Sequence, residues 1–370
     1  MLWAIIKFYP KQLKKVLFLV QGEGRGHLTQ AIAMRQTLQD SGYEVVAVLV
    51  GGAVEKPIPT FFYDQIQAPV EAFSSPNLVF NTEGKVDFKK TIVHHLPNTI
   101  HFAKSLKQIN QAVKRYQSDL IVNFYEILGG LYNWLYRPPV PMVCVGHQYL
   151  FFHSDFPIPK KGYIDRFLVN FNSRITALRA RKMLALSFDA LRDQPSKQIY
   201  IVSPLLRKDI HSLVVSQKEY ILIYLNHPAL YGQILEWHLK HPEVPLHCFW
   251  SKSDALPVEK IDETLTLYRL DGAKFLEKLA GCKALVTTAG FESVCEAMYL
   301  DKPVMVVPIH YEQICNATDT ERVGAGVAAK HFDLSILMEY LPHHQSVGEN
   351  FRQWCREGEQ QWLAHLKSVI

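Results

Sequence analysis

An α/β protein built from two successive parallel-sheet domains is predicted by three observations. Short apolar runs alternate with helical stretches in the first half, and the same alternation restarts near residue 220. The chain, at 370 residues, is too long for one ordinary core and suits two domains of about 150–200 residues each.

In chain order, residues 16–20 read as a buried strand followed by a glycine loop. Residues 27–40 then carry Leu28, Ala31, Ile32 and Leu38 at helical spacing, with Gly42 as the stop. Strands follow at 45–50, 120–124 and 141–145, the last two separated by an aromatic segment at 128–136. The second half offers strands at 220–225, 246–250, 284–288 and 303–308, with helices at 229–240, 273–280 and 291–300. Two Rossmann-like domains result, 1–205 and 206–348. The polar stretch 204–217 is the linker, and 349–370 is a terminal helix expected to pack back on the first domain.

Composition narrows the class. Six cysteines (Cys144, Cys248, Cys282, Cys295, Cys315, Cys355) stand singly in apolar surroundings with no CxxC spacing, which implies free thiols in a reducing compartment and no structural zinc. The apolar stretch Leu2 to Ile6 is broken by Lys7 and stopped by Pro10, no small-residue cleavage site follows, and no run approaches the ~20 apolar residues of a membrane span. A cytoplasmic protein is expected. The net charge of +5 permits an anionic substrate or surface, but no basic stripe dense enough for nucleic acid is present.

The first loop, Gln21-Gly-Glu-Gly-Arg-Gly-His27, lies between strand and helix. There Gly22, Gly24 and Gly26, with Arg25 among them, let a ligand approach bare backbone at a helix N-terminus that favours anions. Dinucleotide binding is rejected, because the spacing is G-x-G-x-G and the second strand ends in Gly51-Gly52 with no acid for a ribose hydroxyl. His27, at the first turn, faces the crevice where ligands of such sheets bind. From the loop alone, a general base and a packed helix cap are equal readings of it.

The second motif runs from Ala284 to Pro308 as strand, Thr-Thr-Ala-Gly turn, helix, strand. Thr288, Ala289, Gly290, Phe291, Glu292 and Ser293 offer amides and hydroxyls to a diphosphate at a helix N-terminus. Glu292 and Glu296, four apart, share a face. Glu296 is placed to accept from ribose hydroxyls, while simple dipole stabilisation competes as the reading of Glu292. Beyond the next strand, Glu312, Gln313 and Asn316 offer acceptors and amides for sugar hydroxyls, or are merely solvated loop residues.

These motifs resemble the nucleotide-sugar region of inverting GT-B glycosyltransferases. They are similar to the lipid-linked N-acetylglucosaminyltransferases of peptidoglycan and to the UDP-glycosyltransferases of plants and antibiotic pathways. In those families x-x-Gly-x-x-Ser/Thr holds the diphosphate, a glutamate three residues on binds ribose, and an acidic/Gln pair after the next strand binds the sugar. On this chain these are Gly290 with Ser293, Glu296, and Glu312 with Gln313. The glycine loop ending in His27 resembles the acceptor-side loop that carries the base. Departures exist: the plant enzymes have His at the place of Thr288 and Asn at that of Glu292, and the lipid-linked enzymes begin Gly-Gly-Thr-Gly-Gly-His.

The resemblance implies two domains facing a cleft, a UDP-sugar donor held by the second, and a hydroxyl acceptor at the first. It implies inversion with His27 as base, with no cofactor and no metal, as neither motif holds an Asp-x-Asp. An epimerase or hydrolase of the same fold, and a non-catalytic sugar-nucleotide sensor, are the alternatives. A lipid-linked acceptor would make peripheral membrane contact useful. Arg174, Arg179, Arg181 and Lys182 among Ile175, Leu178 and Met183, and Lys7, Lys11, Lys14 and Lys15 after Leu2 to Ile6, are the candidate segments, with an ordinary solvated helix face as the competing reading.

Overall fold

The computed structural model describes residues 13–53, 57–76, 99–160, 162–252 and 255–370. The first domain runs β1 (Lys14–Gln21), α1 (Gly26–Asp40), β2 (Tyr43–Gly52), α2 (Thr60–Ile66), β3 (Val70–Ser74), α3 (Thr99–Tyr116), β4 (Leu120–Phe124), α4 (Ile127–Tyr136), β5 (Met142–Val145), α5 (Tyr163–Thr176), β6 (Lys182–Leu186) and β7 (Ile199–Val202). Its sheet is wholly parallel, in the order β3-β2-β1-β4-β5-β6-β7. Val16 through Val20 are completely buried, as an unbroken apolar run must be when helices cover both faces.

The second domain comprises β8 (Ile221–Leu225), α6 (Tyr231–His238), β9 (Leu246–Trp250), β10 (Val258–Lys260), β11 (Leu265–Arg269), α7 (Gly272–Gly281), β12 (Ala284–Thr287), α8 (Phe291–Tyr299), β13 (Val304–Val306), α9 (Tyr311–Arg322), β14 (Gly326–Ala328), α10 (Leu334–Tyr340) and α11 (Gly348–Lys367). Its sheet order is β10-β11-β9-β8-β12-β13-β14, parallel except for the β10–β11 pair.

Each sheet reverses its winding at one place, between β1 and β4 in the first and between β8 and β12 in the second. Loops at such a point diverge and leave a crevice at the carboxyl ends of the strands. The glycine loop follows β1 and the Thr-Thr-Ala-Gly turn follows β12, so both motifs stand at a reversal point.

Helix α11 returns to the first domain. It packs against both α8 and β7, Phe351, Trp362 and Leu366 join a core shared by the two domains, and the Trp354 indole donates to the Ser187 carbonyl at 3.0 Å. Burying Phe351 and Leu366 contributes roughly 1.5–3 kcal/mol each. Gly358 is required at this crossing, because a Cβ there would lie 2.1 Å from Ser203 Oγ.

Several local expectations differ. The helix expected over 229–240 starts as a 3-10 turn at Pro228–Leu230 and is α-helical only over Tyr231–His238. Glu312, Gln313 and Asn316 lie on α9 rather than in a loop. The basic segment after Arg174 is no helix face: α5 ends at Thr176, a turn follows, and β6 starts at Lys182. Lys7, Lys11 and Leu2 to Ile6 lie outside the described residues. Among the described residues, no helix is long and apolar enough to cross a membrane.

Candidate active site

The carboxyl edges of the two sheets meet. In the glycine loop Gly24 takes φ +81, and the Gly22 amide donates to the Gly51 carbonyl at 2.6 Å, tying the loop to the end of β2. Gly51 has its own reason to be glycine: a Cβ there would lie 2.3 Å from Glu126 Oε2. Glu126 follows β4, caps α4 by accepting from the Leu128 amide at 2.9 Å, and accepts from Ser75 Oγ at 2.5 Å. Burial pushes its carboxyl up to about 7.

His27 opens α1. Its Nδ1 lies 3.1 Å from Gln30 Oε1, and its ring stacks on Tyr125 at 5.6 Å and 21°. Burial pushes the imidazole down to about 4, against the opposing bond to Gln30, so the ring is neutral at pH 7. Tyr125 itself takes φ 58, a cost that buried active-site backbone often carries. Arg25 lies over the Phe61 ring at 4.3 Å.

Across the cleft, Ala289 also takes a left-handed conformation, φ 60, and Gly290 caps α8. Asn316 Nδ2 braces this turn by donating to the Ala289 carbonyl at 2.9 Å. Ser293 Oγ donates to the Gly290 carbonyl at 3.0 Å and lies 3.3 Å from Thr287 Oγ1. The Ser293 hydroxyl is therefore engaged within the turn, and the free amides of the α8 N-terminus remain to meet an anion.

Not every predicted residue lines the opening. The Phe291 side chain is a wedge between domains, stacked on His147 (4.5 Å, 13°) and on Phe188 (4.9 Å, 15°). Gln313 Oε1 accepts from the Ile309 amide at 3.0 Å, and its Nε2 reaches Thr288 Oγ1 at 3.5 Å, so it supports the turn. Glu296 Oε1 takes both Nη2 (2.7 Å) and Nε (3.2 Å) of Arg207 in a buried ion pair. Glu292 turns its carboxylate to Gln30 of the first domain at 2.6 Å, and burial pushes it up to about 8.

Reading the sequence alone missed Gln30, Tyr125, Glu126, His147, Gln148 and Arg207. The signal for His147 was present, since Gly146-His147 follows a strand just as Gly26-His27 follows one. His147 is 3% exposed, with Nε2 4.0 Å from Glu312 Oε1 and Asn316 beside the ring. Burial, with His27 nearby, pushes it down to about 3. Gln148 Nε2 donates to Glu312 Oε1 at 3.1 Å, whose carboxyl burial pushes up to about 7. Gln148 Oε1 is buried and unpartnered, while Asn316 lies against His147 and Tyr311 against Cys315. Buried polar atoms are almost always paired, so Gln148 Oε1 beside Glu312 is an acceptor left for a polar ligand. Among the described residues, no group of three or more His, Cys, Asp or Glu could hold a metal ion.

The sequence profile described as glycosyl transferase family 1 matches residues 14–343. No curated protein matches in sequence. Solved structures do match in fold. LpCGTa in complex with UDP is 14% identical with TM-score 0.63, covering 96% of this chain and 99% of its own. The spinosyn rhamnosyltransferase SpnG complexed with thymidine diphosphate is 12% identical with TM-score 0.62, covering 95% and 100%. MurG of Acinetobacter baumannii is 17% identical with TM-score 0.55, covering 96% and 99%.

Proposed function

The chain belongs to glycosyl transferase family 1, and from that premise we propose that it moves a sugar from UDP-sugar to a hydroxyl with inversion, without metal or other cofactor, using His27 as base. The meeting of the two sheet edges at His27, His147 and the start of α8, with Gln148 on Glu312 at 3.1 Å and His147 stacked on Phe291, is the observation that carries this reading. Solved neighbours of this fold hold UDP or thymidine diphosphate; the uridine form is the donor proposed here.

The acceptor O–H gives its proton to His27 Nε2 as its oxygen bonds to the anomeric carbon, and the bond from that carbon to the diphosphate breaks. Negative charge grows on the leaving diphosphate, where the α8 amides and its dipole stabilise it. Thr288, Gly290 and Ser293 shape that cradle. Glu296 keeps an oxygen for ribose beside the one held by Arg207, and Glu312 meets the sugar. An imidazole near 4 is a weak base, but an arriving diphosphate raises it towards neutrality by its charge.

A membrane-borne acceptor has support from a different surface than the one expected. On α5, Tyr163, Ile164, Phe167 and Phe171 share one face and are 76%, 75%, 63% and 53% exposed. Trp134 and Leu135 on neighbouring α4 are about half exposed too. Residues 157–174, the helix and its approach, hold Lys160, Lys161, Arg166 and Arg174 against Asp165 alone. Apolar rings flanked by cations suit the interface of an anionic bilayer, and six unpaired cysteines suit its cytoplasmic side.

Release of free diphosphate from a panel of UDP- and TDP-sugars, with and without acceptor alcohols, tests the reading. Acceptor-dependent release that survives EDTA supports it. Equal release without any acceptor turns it into a hydrolase, and binding without release into a sensor. Loss in EDTA restored by magnesium removes the metal-free step.

A further inference from the structure

Two side chains outside the transfer step join the domains at the base. Gln30 stands three residues after His27 on α1 and is 3% exposed. Its amide spans the gap between His27 Nδ1 (3.1 Å) and Glu292 Oε1 (2.6 Å), residues of different domains 265 positions apart. Gln30 Nε2 faces Glu292 and its carbonyl oxygen faces His27, and a carbonyl oxygen only accepts. Nδ1 must then carry the ring proton, which leaves the Nε2 lone pair for the acceptor. Tyr125 stacks on the ring, and the Glu292 side chain reaches back to the glycine loop, where a Cβ at Gly26 would meet its Cγ at 3.5 Å.

We propose that Gln30 and Glu292 are positioning residues that fix the tautomer and orientation of His27, so that the base is complete only when the two domains are apposed. This deepens the transfer reading and rests on His27 being its base. No proton passes along the chain of bonds, because a Gln amide is neither acid nor base at working pH. The acceptor proton stays on Nε2 as imidazolium until it leaves to solvent. Gln30 holds Nδ1–H throughout, and Glu292 orients the amide by accepting from its Nε2. A Glu that served only the dipole of α8 would be indifferent to the tautomer of His27.

The tautomer can be read without an acceptor. Ring-nitrogen NMR of the full-length protein, with the His27 signals assigned by their loss in His27→Ala, is compared with Gln30→Met and Glu292→Ala. The parent is expected to show protonated Nδ1 and bare Nε2, and each variant a mixture of both tautomers. Turnover then falls on the order of 10–100-fold, by analogy with the loss of the outer partner of a metal-ligating imidazole, with donor KM unchanged in Gln30→Met. A parent ring protonated on Nε2, or a tautomer unchanged in both variants, overturns the proposal. If Glu292→Ala fails to fold, Gln30→Met decides alone. Full transfer by His27→Ala would sink the base assignment instead, whatever the NMR shows.

Discussion

Replacing Arg207 by Met should destabilise the protein in a way that depends on pH. Arg207 and Glu296 form an ion pair whose side chains are 11% and 9% exposed, with Nε and Nη2 both on one carboxylate oxygen. Removing one partner of a buried pair costs about 3–5 kcal/mol, because the other charge is left uncompensated. Glu296 can escape that penalty only by taking up a proton. Its carboxyl is already raised by burial, with Arg207 pulling the other way, and the substitution removes that pull. In the variant, then, the folded-state value lies above the unfolded one. The penalty is absent below the unfolded value of about 4.3 and grows by ~1.36 kcal/mol per unit as pH rises towards the folded one. Protonation therefore caps the loss at about 1 kcal/mol at pH 5 and about 5 kcal/mol at pH 8. Urea midpoints at the two pH values measure it, and thermal scans at pH 8 should fall by roughly 4–6 °C for a chain of this length. Adding Glu296→Gln should recover much of the loss, since no charge then remains buried. Equal losses at pH 5 and pH 8, or a double variant no more stable than Arg207→Met, would refute the reasoning.

Three further outcomes are expected. His27→Ala should lower acceptor-dependent diphosphate release about 10²–10⁴-fold while calorimetry gives nearly the parent affinity for UDP; unchanged release removes its role. Ala289→Val adds two methyl groups at a fully buried position of φ 60, and overpacking costs roughly 1–3 kcal/mol; the urea midpoint and UDP affinity should both drop, whereas Ala289→Gly spares binding. Phe167→Glu should abolish co-sedimentation with anionic vesicles at low salt, and a parent protein that stays in the supernatant there would leave a soluble acceptor.

What the sequence revealed and what it hid divide along a physical line. Buried central strands such as β1, β4, β8 and β12 are continuous apolar runs, and their motifs are local, so Gly26-His27 and Gly290 to Ser293 are visible in a few consecutive residues. Short or edge strands such as β3 (Val70–Ser74), β10 and β14 alternate with polar residues or span only a turn, and they resemble loops. Helix α5 points its aromatic face outward, which inverts the pattern by which a buried helix is recognised. The partners of the site residues are the least legible. Gln30 meets Glu292 across 262 positions and Arg207 meets Glu296 from a segment read as linker. Nothing local in either sequence stretch announces the other.

The return of α11 to the first domain has a consequence for synthesis. The ribosome completes β7 at Val202, yet the helix that covers Ser203 and supplies Trp362 and Leu366 begins only at Gly348. At about 5–20 residues per second, the nascent first domain waits roughly 7–30 s for its last wall. During that interval the apolar floor meant for those side chains faces water, next to a second sheet that is still being threaded out. A slow codon between 203 and 348 lengthens the exposure, and a chaperone that shields that floor would be released by competition when α11 arrives.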